Sequence, residues 1–270
     1  MAAESAPASH VPMTVDKLKE AVASGHVDTV LVVFTDVQGR LAGKRIHGRY
    51  FVDEVLAHGT EGCNYLLAVD VDMNTVGGYA MSSWETGYGD FVLRPDLSTL
   101  RPVTWLPATA MVQCDVLWLD GRPVAQSPRQ ILMAQADRAA DMGFVSYAGT
   151  ELEFIVFDDT YEKAWDSGYR GLTPSNRYNV DYSIIGTTRV EPLLRDIRNH
   201  MDRAGLVVES AKGECNFGQH EIAFKFADSI TTCDQHVVYK TAAKEIAAQH
   251  DKALTFMAKY NEREGNSCHI

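Results

Sequence analysis

The chain is poor in cysteine, and its cysteines are scattered. There are five, an odd number, and no two of them form a Cys-x-x-Cys pair. A disulfide framework and a zinc ribbon are therefore not expected, and the default compartment is a reducing cytoplasm. Long apolar runs are also missing. No segment approaches the roughly 20 residues that a membrane-spanning helix needs, so we expect no membrane partner.

Positive charge is scarce as well. The chain has 25 Lys and Arg against 36 Asp and Glu, which gives a formal net charge of -11. This balance disfavours nucleic-acid-binding classes, which hold phosphates through basic side chains. No glycine-rich GxxxxGK[ST] or GxGxxG nucleotide motif occurs. Any bound phosphate would therefore be held by metal ions and arginines rather than by a glycine cradle.

The pattern of elements predicts two modules of mixed α and β structure. Residues 1–12 lack the basic end and apolar stretch of a signal peptide, and we expect a disordered tail. The turn residues Asp120–Pro123 predict a boundary between a module of residues 13–120 and a module of residues 121–270. In the first module we expect helices Thr14–Ala23 and Phe51–Ala57 and strands Thr29–Phe34, Leu41–Ile46, Tyr65–Val71 and Ala110–Trp118.

The second module is predicted to be a sheet with helices packed on it. A helix beginning at Pro128 and ended by Gly143 opens it. Its apolar face is predicted to consist of Ile131, Leu132, Ala136 and Ala139. Further along we expect a strand Glu151–Phe157, a helix Glu191–Ala204, a hairpin over Leu206–Phe226 and a long helix from about Asp234 to Ala258.

Two glutamates lie two positions apart in the first predicted strand of that sheet, which reads GTELEFIVF. Side chains alternate along a strand, so Glu151 and Glu153 share one face and lie about 7 Å apart, opposite the apolar residues. If that face is shielded from water, their repulsion and desolvation are costly without a cation. Mg²⁺ and Mn²⁺ prefer such oxygen ligands. The alternative is a solvated strand face.

Three more acids surround the predicted hairpin, at Glu209, Glu214 and Glu221. On the returning strand, Ile222, Phe224 and Phe226 are expected to face the core. Glu221 and Lys225 are then on the opposite face, where they could line a metal and phosphate site. The alternative is ordinary surface charge. His269 follows a glycine-containing loop, and a lone histidine is more often structural or exposed than a metal ligand.

Taken in order, these segments resemble the glutamine synthetase family. That family has a G-x-E-x-E-F-x-x-F strand, a hairpin of the type E-x(6–7)-G-Q-x-E and a K-P-…-N-G-S-G-x-H loop. Here they read GTELEFIVF, ECNFGQHE and KYNEREGNSCH. Leu93–Asp96 and the stretch from Cys114 to Arg129 also resemble the family. The resemblance covers nearly everything after residue 12.

The resemblance implies roles for individual residues. One metal ion would be held by Glu153, Glu214 and Glu221. A second, beside the ATP phosphates, would be held by Glu151, His269 and a carboxylate further along. Glu209 matches a position that contacts the nucleotide, and Gly265 lies in the loop that holds the substrate glutamate. We accordingly expect two or three Mg²⁺ or Mn²⁺ ions, ATP as co-substrate and L-glutamate as substrate.

The family's chemistry implies a two-step ligase reaction. The γ-carboxylate of glutamate attacks the terminal phosphoryl group of ATP, and an amine then displaces phosphate from γ-glutamyl phosphate. Ammonia-using members carry F-D-G-S-S-I in the first domain, with an aspartate that binds ammonium. Here the segment Tyr79–Trp84 reads YAMSSW. Its serines are kept, and Ser83 is the candidate catalytic residue, but Ala80 replaces the aspartate and Met81 the glycine.

An apolar patch in place of a cation site favours a primary amine, such as ethanolamine or a polyamine, over ammonia. The alternative is that Glu85 or Asp90 binds ammonium in place of the missing aspartate. The sequence does not name the amine. The histidine loop also departs from the family at Glu264 and Ser267.

The fold that the resemblance implies is α+β: an N-terminal β-grasp domain followed by the first part of the catalytic α/β domain. Family members continue well beyond the histidine loop, so we expect a fragment or a shortened relative. Their active sites form between neighbouring subunits of stacked rings, so a homo-oligomer, a dodecamer at full length, is expected. The rival functions are an ammonia-using glutamine synthetase and a non-catalytic relative.

Overall fold

The computed structural model describes residues 13–85 and 87–270. The contacts divide the chain after Ser146 into two compact units, residues 13–146 and 147–270. This division lies later than the predicted boundary after Asp120. The helix that begins at Pro128 belongs to the first unit because the guanidinium of Arg129 pairs with Asp96 and Asp115 there.

The first unit contains short helices and a six-stranded sheet. Its helices are α1 (Val15–Ala23), α2 (Gly48–Tyr50), α3 (Leu56–His58) and α4 (Pro128–Asp141), with a π-helical turn Phe51–Val55 between α2 and α3. Its strands are β1 (Thr29–Thr35), β2 (Leu41–His47), β3 (Thr60–Cys63), β4 (Asp90–Pro95), β5 (Arg101–Pro102) and β6 (Thr109–Trp118). Thr14 caps α1 by accepting a hydrogen bond from the Lys17 amide at 3.3 Å.

The strand order of this sheet is β2-β1-β6-β4-β3, with β5 beside β6. β1 and β2 form an antiparallel hairpin, whereas β1 and β6 run parallel. Val30, Val32 and Phe34 alternate along β1 and are fully or almost fully buried in the core. The β-branched run of β1 therefore forms the buried strand that the sequence predicts.

Two predictions for the first unit are wrong. No strand covers Tyr65–Val71: Asn64–Leu67 is a 3-10 turn, and the buried residues after it form only an isolated bridge, between Val69 and Thr75. The apolar run reflects burial, which does not distinguish a strand from an irregular segment. The predicted apolar face of α4 is also not a core face, since Ile131 is 51% exposed and Arg129 is the buried residue of the helix.

The second unit contains a five-stranded sheet, a two-stranded sheet and four helices. Its strands are β7 (Tyr147–Ala148), β8 (Glu151–Phe157), β9 (Val208–Gly213), β10 (Gln219–Phe224), β11 (Ala227–Asp228), β12 (Ala253–Thr255) and β13 (Cys268–His269). Its helices are α5 (Tyr161–Asp166), α6 (Ile184–Thr187), α7 (Glu191–Arg203) and α8 (Ser229–Gln249). No described helix of either unit is long and apolar enough to cross a membrane.

The larger sheet has the order β12-β8-β10-β9, with β13 also pairing with β8. α8 ends nine residues before the predicted Ala258. Asp251 has a φ of +54°, a left-handed conformation that stops the helix. The apolar residues Ala253 and Leu254 then pair with Phe157 and Val156 of β8 as strand β12.

The two faces of the hairpin β9–β10 differ from the prediction at one end. Ile222 is fully buried, as expected, but Phe226 is 51% exposed and does not belong to the core. β10 ends at Phe224, so Phe226 lies beyond the strand, in the short segment that leads to β11.

Candidate functional site

Strand pairing brings acids from two strands into one row. Glu153 of β8 lies directly opposite Glu221 of β10, and Glu221 lies opposite Lys212 of β9. Directly paired residues share a face of a sheet, so these three side chains project to the same side. Glu151 lies two residues from Glu153 on the same face of β8 and is paired with His269 of β13. The alternation that the sequence predicts for Glu151 and Glu153 is present.

Glu153, Glu214 and Glu221 form a compact cluster. One carboxylate oxygen from each lies within 4.8 Å of the other two. The side chains of Glu214 and Glu221 are only 12% and 11% exposed. Three carboxylates at this spacing, two of them poorly solvated, repel one another and are suited to a hard divalent cation. The donor set therefore fits the metal ion that the family resemblance implies at these residues.

Lys212 partly neutralises this cluster in the structure. Its ammonium group contacts Glu214 and lies 3.2 Å from Oε2 of Glu221. The same ammonium lies 4.8 Å from the centre of the Tyr182 ring, a cation–π distance. Lys212 is thus held by two carboxylates and one aromatic face.

His269 and Glu151 form a second pair beside the cluster. Nδ1 of His269 lies 2.8 Å from Oε2 of Glu151, and both side chains are largely exposed. The hydrogen bond to Glu151 is the main cause that raises the pKa of His269 above its usual value, with further attraction from Glu153 and Glu221. An imidazole and a carboxylate at this distance could hold a second metal ion once the histidine has lost its proton.

The loop before His269 is tied to Glu153. Oε2 of Glu153 accepts hydrogen bonds from Nε2 of Gln219 at 2.5 Å and from the backbone amide of Ser267 at 2.6 Å. The same Gln219 amide donates to the carbonyl of Gly265 at 2.9 Å, and Asn216 donates to that carbonyl at 2.7 Å. Gln219 therefore links a candidate metal ligand to the loop expected to hold glutamate.

Gly265 itself leaves no room for a side chain. A Cβ atom there would lie 2.5 Å from the carbonyl oxygen of Ala258. The loop is closed at this point by a bridge between Lys259 and Gly265. The glycine is required by close backbone approach, and its carbonyl is consequently held in one place.

Two predicted binding residues lie away from the acid cluster. Glu209 is exposed and is the residue that a register shift in the pairing of β9 with β10 leaves without a cross-strand partner. Lys225 is exposed beyond the end of β10 and lines a narrow pocket with Thr150 and His236. Their assignment to the nucleotide and to phosphate stays a prediction.

The residues expected to select the amine belong to the first unit. Ser82 is buried and Ser83 partly exposed, whereas Ala80 and Trp84 are exposed. The alternative acid Glu85 is close to Ser83. Hydrogen bonds from its own backbone amide and then from the Ser83 hydroxyl hold the pKa of Glu85 below its usual value. A carboxylate is therefore available next to the serines, and the catalytic role of Ser83 stays a prediction.

An open cleft of about 360 Å³ lies against the acid face of the second unit. Its lining includes Glu151 and Glu221 from the sheet, Lys212 from β9, and Tyr182 and Ile184 from the segment before α7. Ile184 is 84% exposed. A polar floor of acids and an apolar, aromatic wall give room for a small organic molecule beside charged groups.

Three residues of this site are not among the predicted ones: Lys212, Gln219 and Tyr182. A signal for Gln219 exists, because it lies inside the hairpin motif that carries Glu214 and Glu221. Lys212 could be predicted by pairing the two strands of the hairpin, because it is the residue that then faces Glu221. No signal in the sequence distinguishes Tyr182 from the other exposed tyrosines.

The chain is similar to known proteins over most of its length. The glutamine synthetase catalytic-domain profile matches residues 125–270. The γ-glutamylethanolamide synthetase GlnA4 of Streptomyces coelicolor is 66% identical over 96% of this chain and 56% of its own length. The glutamate–isopropylamine ligase of a Pseudomonas species is 33% identical over 94% of this chain and 56% of its own length. The chain thus spans little more than half of these relatives.

A solved structure shares the fold. Ligand-free GmaS superposes with a TM-score of 0.77 at 23% identity, over 93% of this chain and 55% of the GmaS chain. At this identity the likeness shows the fold alone. It agrees with the mixed α/β fold of a glutamine synthetase catalytic domain that the profile match indicates.

Proposed function

This chain belongs to the glutamine synthetase family, and from that premise we propose that the full-length protein is an ATP-dependent ligase. It joins a primary amine to the γ-carboxylate of L-glutamate. Ligases of this family use ATP and divalent metal ions. The observation that carries the proposal is the convergence of Glu153, Glu214 and Glu221 within 4.8 Å, at the three positions that match the family's metal ligands.

Different residues of the second unit are assigned to different parts of the reaction. Glu153, Glu214 and Glu221 would hold one divalent ion, and Glu151 with His269 would hold another. These ions, Mg²⁺ or Mn²⁺, would neutralise the charge of the phosphoryl group in transfer from ATP. Gln219 fixes the carboxylate of Glu153 and, through the Gly265 carbonyl, the loop assigned to glutamate. Glu209 and Lys225 are assigned to the nucleotide and to phosphate.

The amine is proposed to be a small primary amine rather than ammonia. Of the relatives described above, one is named for a γ-glutamylethanolamide product and another for the substrate isopropylamine. The replacement of the ammonium-binding aspartate by Ala80 agrees with them, since a neutral methyl group gives a small cation no partner. Met81 and Trp84 add apolar surface, which favours a monoamine over a polyamine.

The first unit is proposed to be a β-grasp domain. Its support is the strand order β2-β1-β6-β4-β3, in which a hairpin strand pairs in parallel with the last long strand. A cytoplasmic, ring-shaped homo-oligomer, a dodecamer at full length, follows from the family resemblance. The free thiols of all five cysteines are compatible with a reducing compartment.

The test uses the full-length protein. Phosphate release is measured with ATP, L-glutamate and a panel of ammonia, ethanolamine, isopropylamine and putrescine. We expect ethanolamine to give the highest kcat/KM. Ammonia as the best substrate would favour an ordinary glutamine synthetase, and no amine-dependent release with any of them would favour a non-catalytic relative.

Two substitutions of Ala80 test whether charge at this position selects the amine. Ala80→Asp restores a carboxylate and should raise kcat/KM for ammonia relative to ethanolamine. Ala80→Asn has nearly the same size without the charge and should leave the ratio unchanged. An equal response of the two variants would show that charge at residue 80 does not select the amine.

A further inference from the structure

The carboxylates of Glu214 and Glu221 already have a cation in the structure. Lys212 contacts Glu214 and lies 3.2 Å from Oε2 of Glu221. Because Lys212 is paired with Glu221 across β9 and β10, its side chain starts beside that acid, and the pairing of the strands keeps the two residues together. An ammonium group and a divalent ion at the same two carboxylates would lie only a few ångströms apart and repel.

An aromatic ring already lies beside the ammonium group and could hold it when a metal ion occupies the acids. The Tyr182 ring centre lies 4.8 Å from Nζ of Lys212. The backbone of Tyr182 has a φ of +52°, in the left-handed region that costs a tyrosine energy. Both residues line the open cleft of about 360 Å³ beside the acids. A flexible lysine side chain can turn into that cleft while keeping its contact with the ring.

We propose that Lys212 is a tethered cation that competes with the divalent metal ion for Glu214 and Glu221 and yields by turning towards the Tyr182 ring. Lys212 neutralises the acids when no metal ion is bound, and it lowers the affinity for the ion. This rests on the metal site of the proposed function. Lys212 is then a positioning residue, and its charge sets the concentration of metal ion at which the site is filled.

The main test is metal affinity, measured with the full-length protein and MnCl₂ alone. Binding is followed by the electron paramagnetic resonance signal of free Mn²⁺, so no turnover is needed. Lys212→Met should bind Mn²⁺ on the order of tenfold more tightly than the wild type, because one repelling charge is lost. Lys212→Arg keeps the charge and should not tighten binding. Lys19→Met removes an exposed lysine of α1 and should leave the affinity unchanged.

A second measurement separates charge competition from a packing effect. Without metal ion, Lys212→Met leaves the acids unpaired and should lower Tm. Saturating Mn²⁺ should restore it, so the Tm rise caused by Mn²⁺ should be larger in Lys212→Met than in the wild type. A variant that had only lost packing would have a lower Tm with and without Mn²⁺.

The role of the ring is tested by a double-mutant cycle. Tyr182→Leu removes the alternative site for the ammonium group and should weaken Mn²⁺ binding several-fold when Lys212 is present. In the Lys212→Met background it should have no effect. The proposal is overturned if Lys212→Met does not bind Mn²⁺ more tightly, or if Tyr182→Leu has the same effect in both backgrounds.

The outcomes distinguish this inference from the proposed function. A wild type that binds Mn²⁺ and ligates amines, with no change in Lys212→Met, overturns the role of Lys212 alone. Tighter binding in Lys212→Met without any ligase activity supports the competition and overturns the proposed reaction. If neither protein binds Mn²⁺, the competition is overturned together with the metal site.

Discussion

In the larger sheet of residues 147–270, a polar face around Glu153 and Glu221 and an apolar face around Phe154 are built from neighbouring residues of the same strands. Glu153, Glu221 and Lys212 form a row across β8, β10 and β9 on one face. The next row, one residue along each strand, contains Phe154 and His220, both fully buried, on the opposite face. Their rings lie 6.2 Å apart.

The comparison shows that the apolar face fixes the position of the acids. A slip of one residue would move Glu153 and Glu221 to the apolar side of the sheet, so the register is strongly determined. Gly213 completes the apolar row, and a Cβ there would lie 2.4 Å from the carbonyl of Val180. The acids lie close together because the tight packing of the neighbouring apolar row allows the strands only one register.

The largest expected effect comes from removing one acid of the polar face. In the full-length protein, Glu221→Ala and Glu153→Ala should each reduce amine-dependent phosphate release to below about one hundredth of the wild type, since loss of even an outer-shell partner costs 10–100-fold. The near-UV dichroism should not change, because these side chains do not support the core. Glu162→Ala, an exposed acid of α5, is the matched control. Near wild-type turnover in either variant would refute the metal assignment.

The apolar face should respond in the opposite way. Phe154→Ala creates a cavity beside His220 and Phe256 and should lower the free energy of unfolding by about 3–5 kcal/mol. Its activity per folded molecule at low temperature should stay near that of the wild type. Urea unfolding followed by fluorescence measures the first quantity. A loss below about 1 kcal/mol would mean that the far face does not hold the register.

A smaller effect is expected from pH, through the histidine of the apolar row. Burial lowers the pKa of His220 to about 4, and neither ring nitrogen has a described hydrogen-bond partner. The unfolded chain takes up this proton near pH 6.5 and the folded chain only near pH 4, so stability falls as the pH drops through this window. Between pH 7 and pH 5 the wild type should lose about 2 kcal/mol more than His220→Leu.

Unfolding at the two pH values measures that difference. His58→Leu, at an exposed histidine of α3, should keep the pH dependence of the wild type. Equal losses in the wild type and His220→Leu would show that His220 is protonated in the folded protein as readily as in the unfolded one.

Much of the second unit could be predicted from local patterns. The strand Glu151–Phe157 has the predicted bounds, and helix α7 begins at the predicted Glu191 and ends one residue early. The alternation of apolar and acidic residues in β8 determines which side chains share a face, and it is read directly from the sequence. The acids at Glu151 and Glu153 therefore needed no tertiary information.

What the sequence did not reveal depends on pairing between strands and on single backbone conformations. A lysine in a strand is usually solvated, and only the register of β9 with β10 places Lys212 among the acids. The end of α8 depends on the left-handed Asp251, and the sequence predicts helix beyond it because Ala and Leu have high intrinsic helix propensity. Leu67, Ala68 and Val69, in the middle of the predicted strand Tyr65–Val71, are buried without belonging to a strand.

The smallest effect is expected from Gln219, which adjoins the polar row without being an acid. Its side-chain amide donates to Glu153 at 2.5 Å and to the Gly265 carbonyl at 2.9 Å, and its oxygen accepts from the Asn216 amide at 3.0 Å. Gln219→Met keeps the length and loses all three hydrogen bonds. We expect about tenfold weaker Mn²⁺ binding and a raised KM for glutamate, the size typical of an outer-shell partner.

The split between KM and kcat distinguishes positioning from a general loss of structure. If Gln219 acts by orienting Glu153 and the Gly265 loop, Gln219→Met raises KM for glutamate more than it lowers kcat, since the acids themselves remain. Gln38→Met removes a comparable amide of the first unit, which donates to the Val69 carbonyl at 2.9 Å, and should leave Mn²⁺ affinity unchanged. A fall in kcat alone, with unchanged Mn²⁺ affinity, would mean that Gln219 does not hold Glu153 for the metal ion. The polar face would then be organised by its acids and Lys212 without help from the hairpin bend.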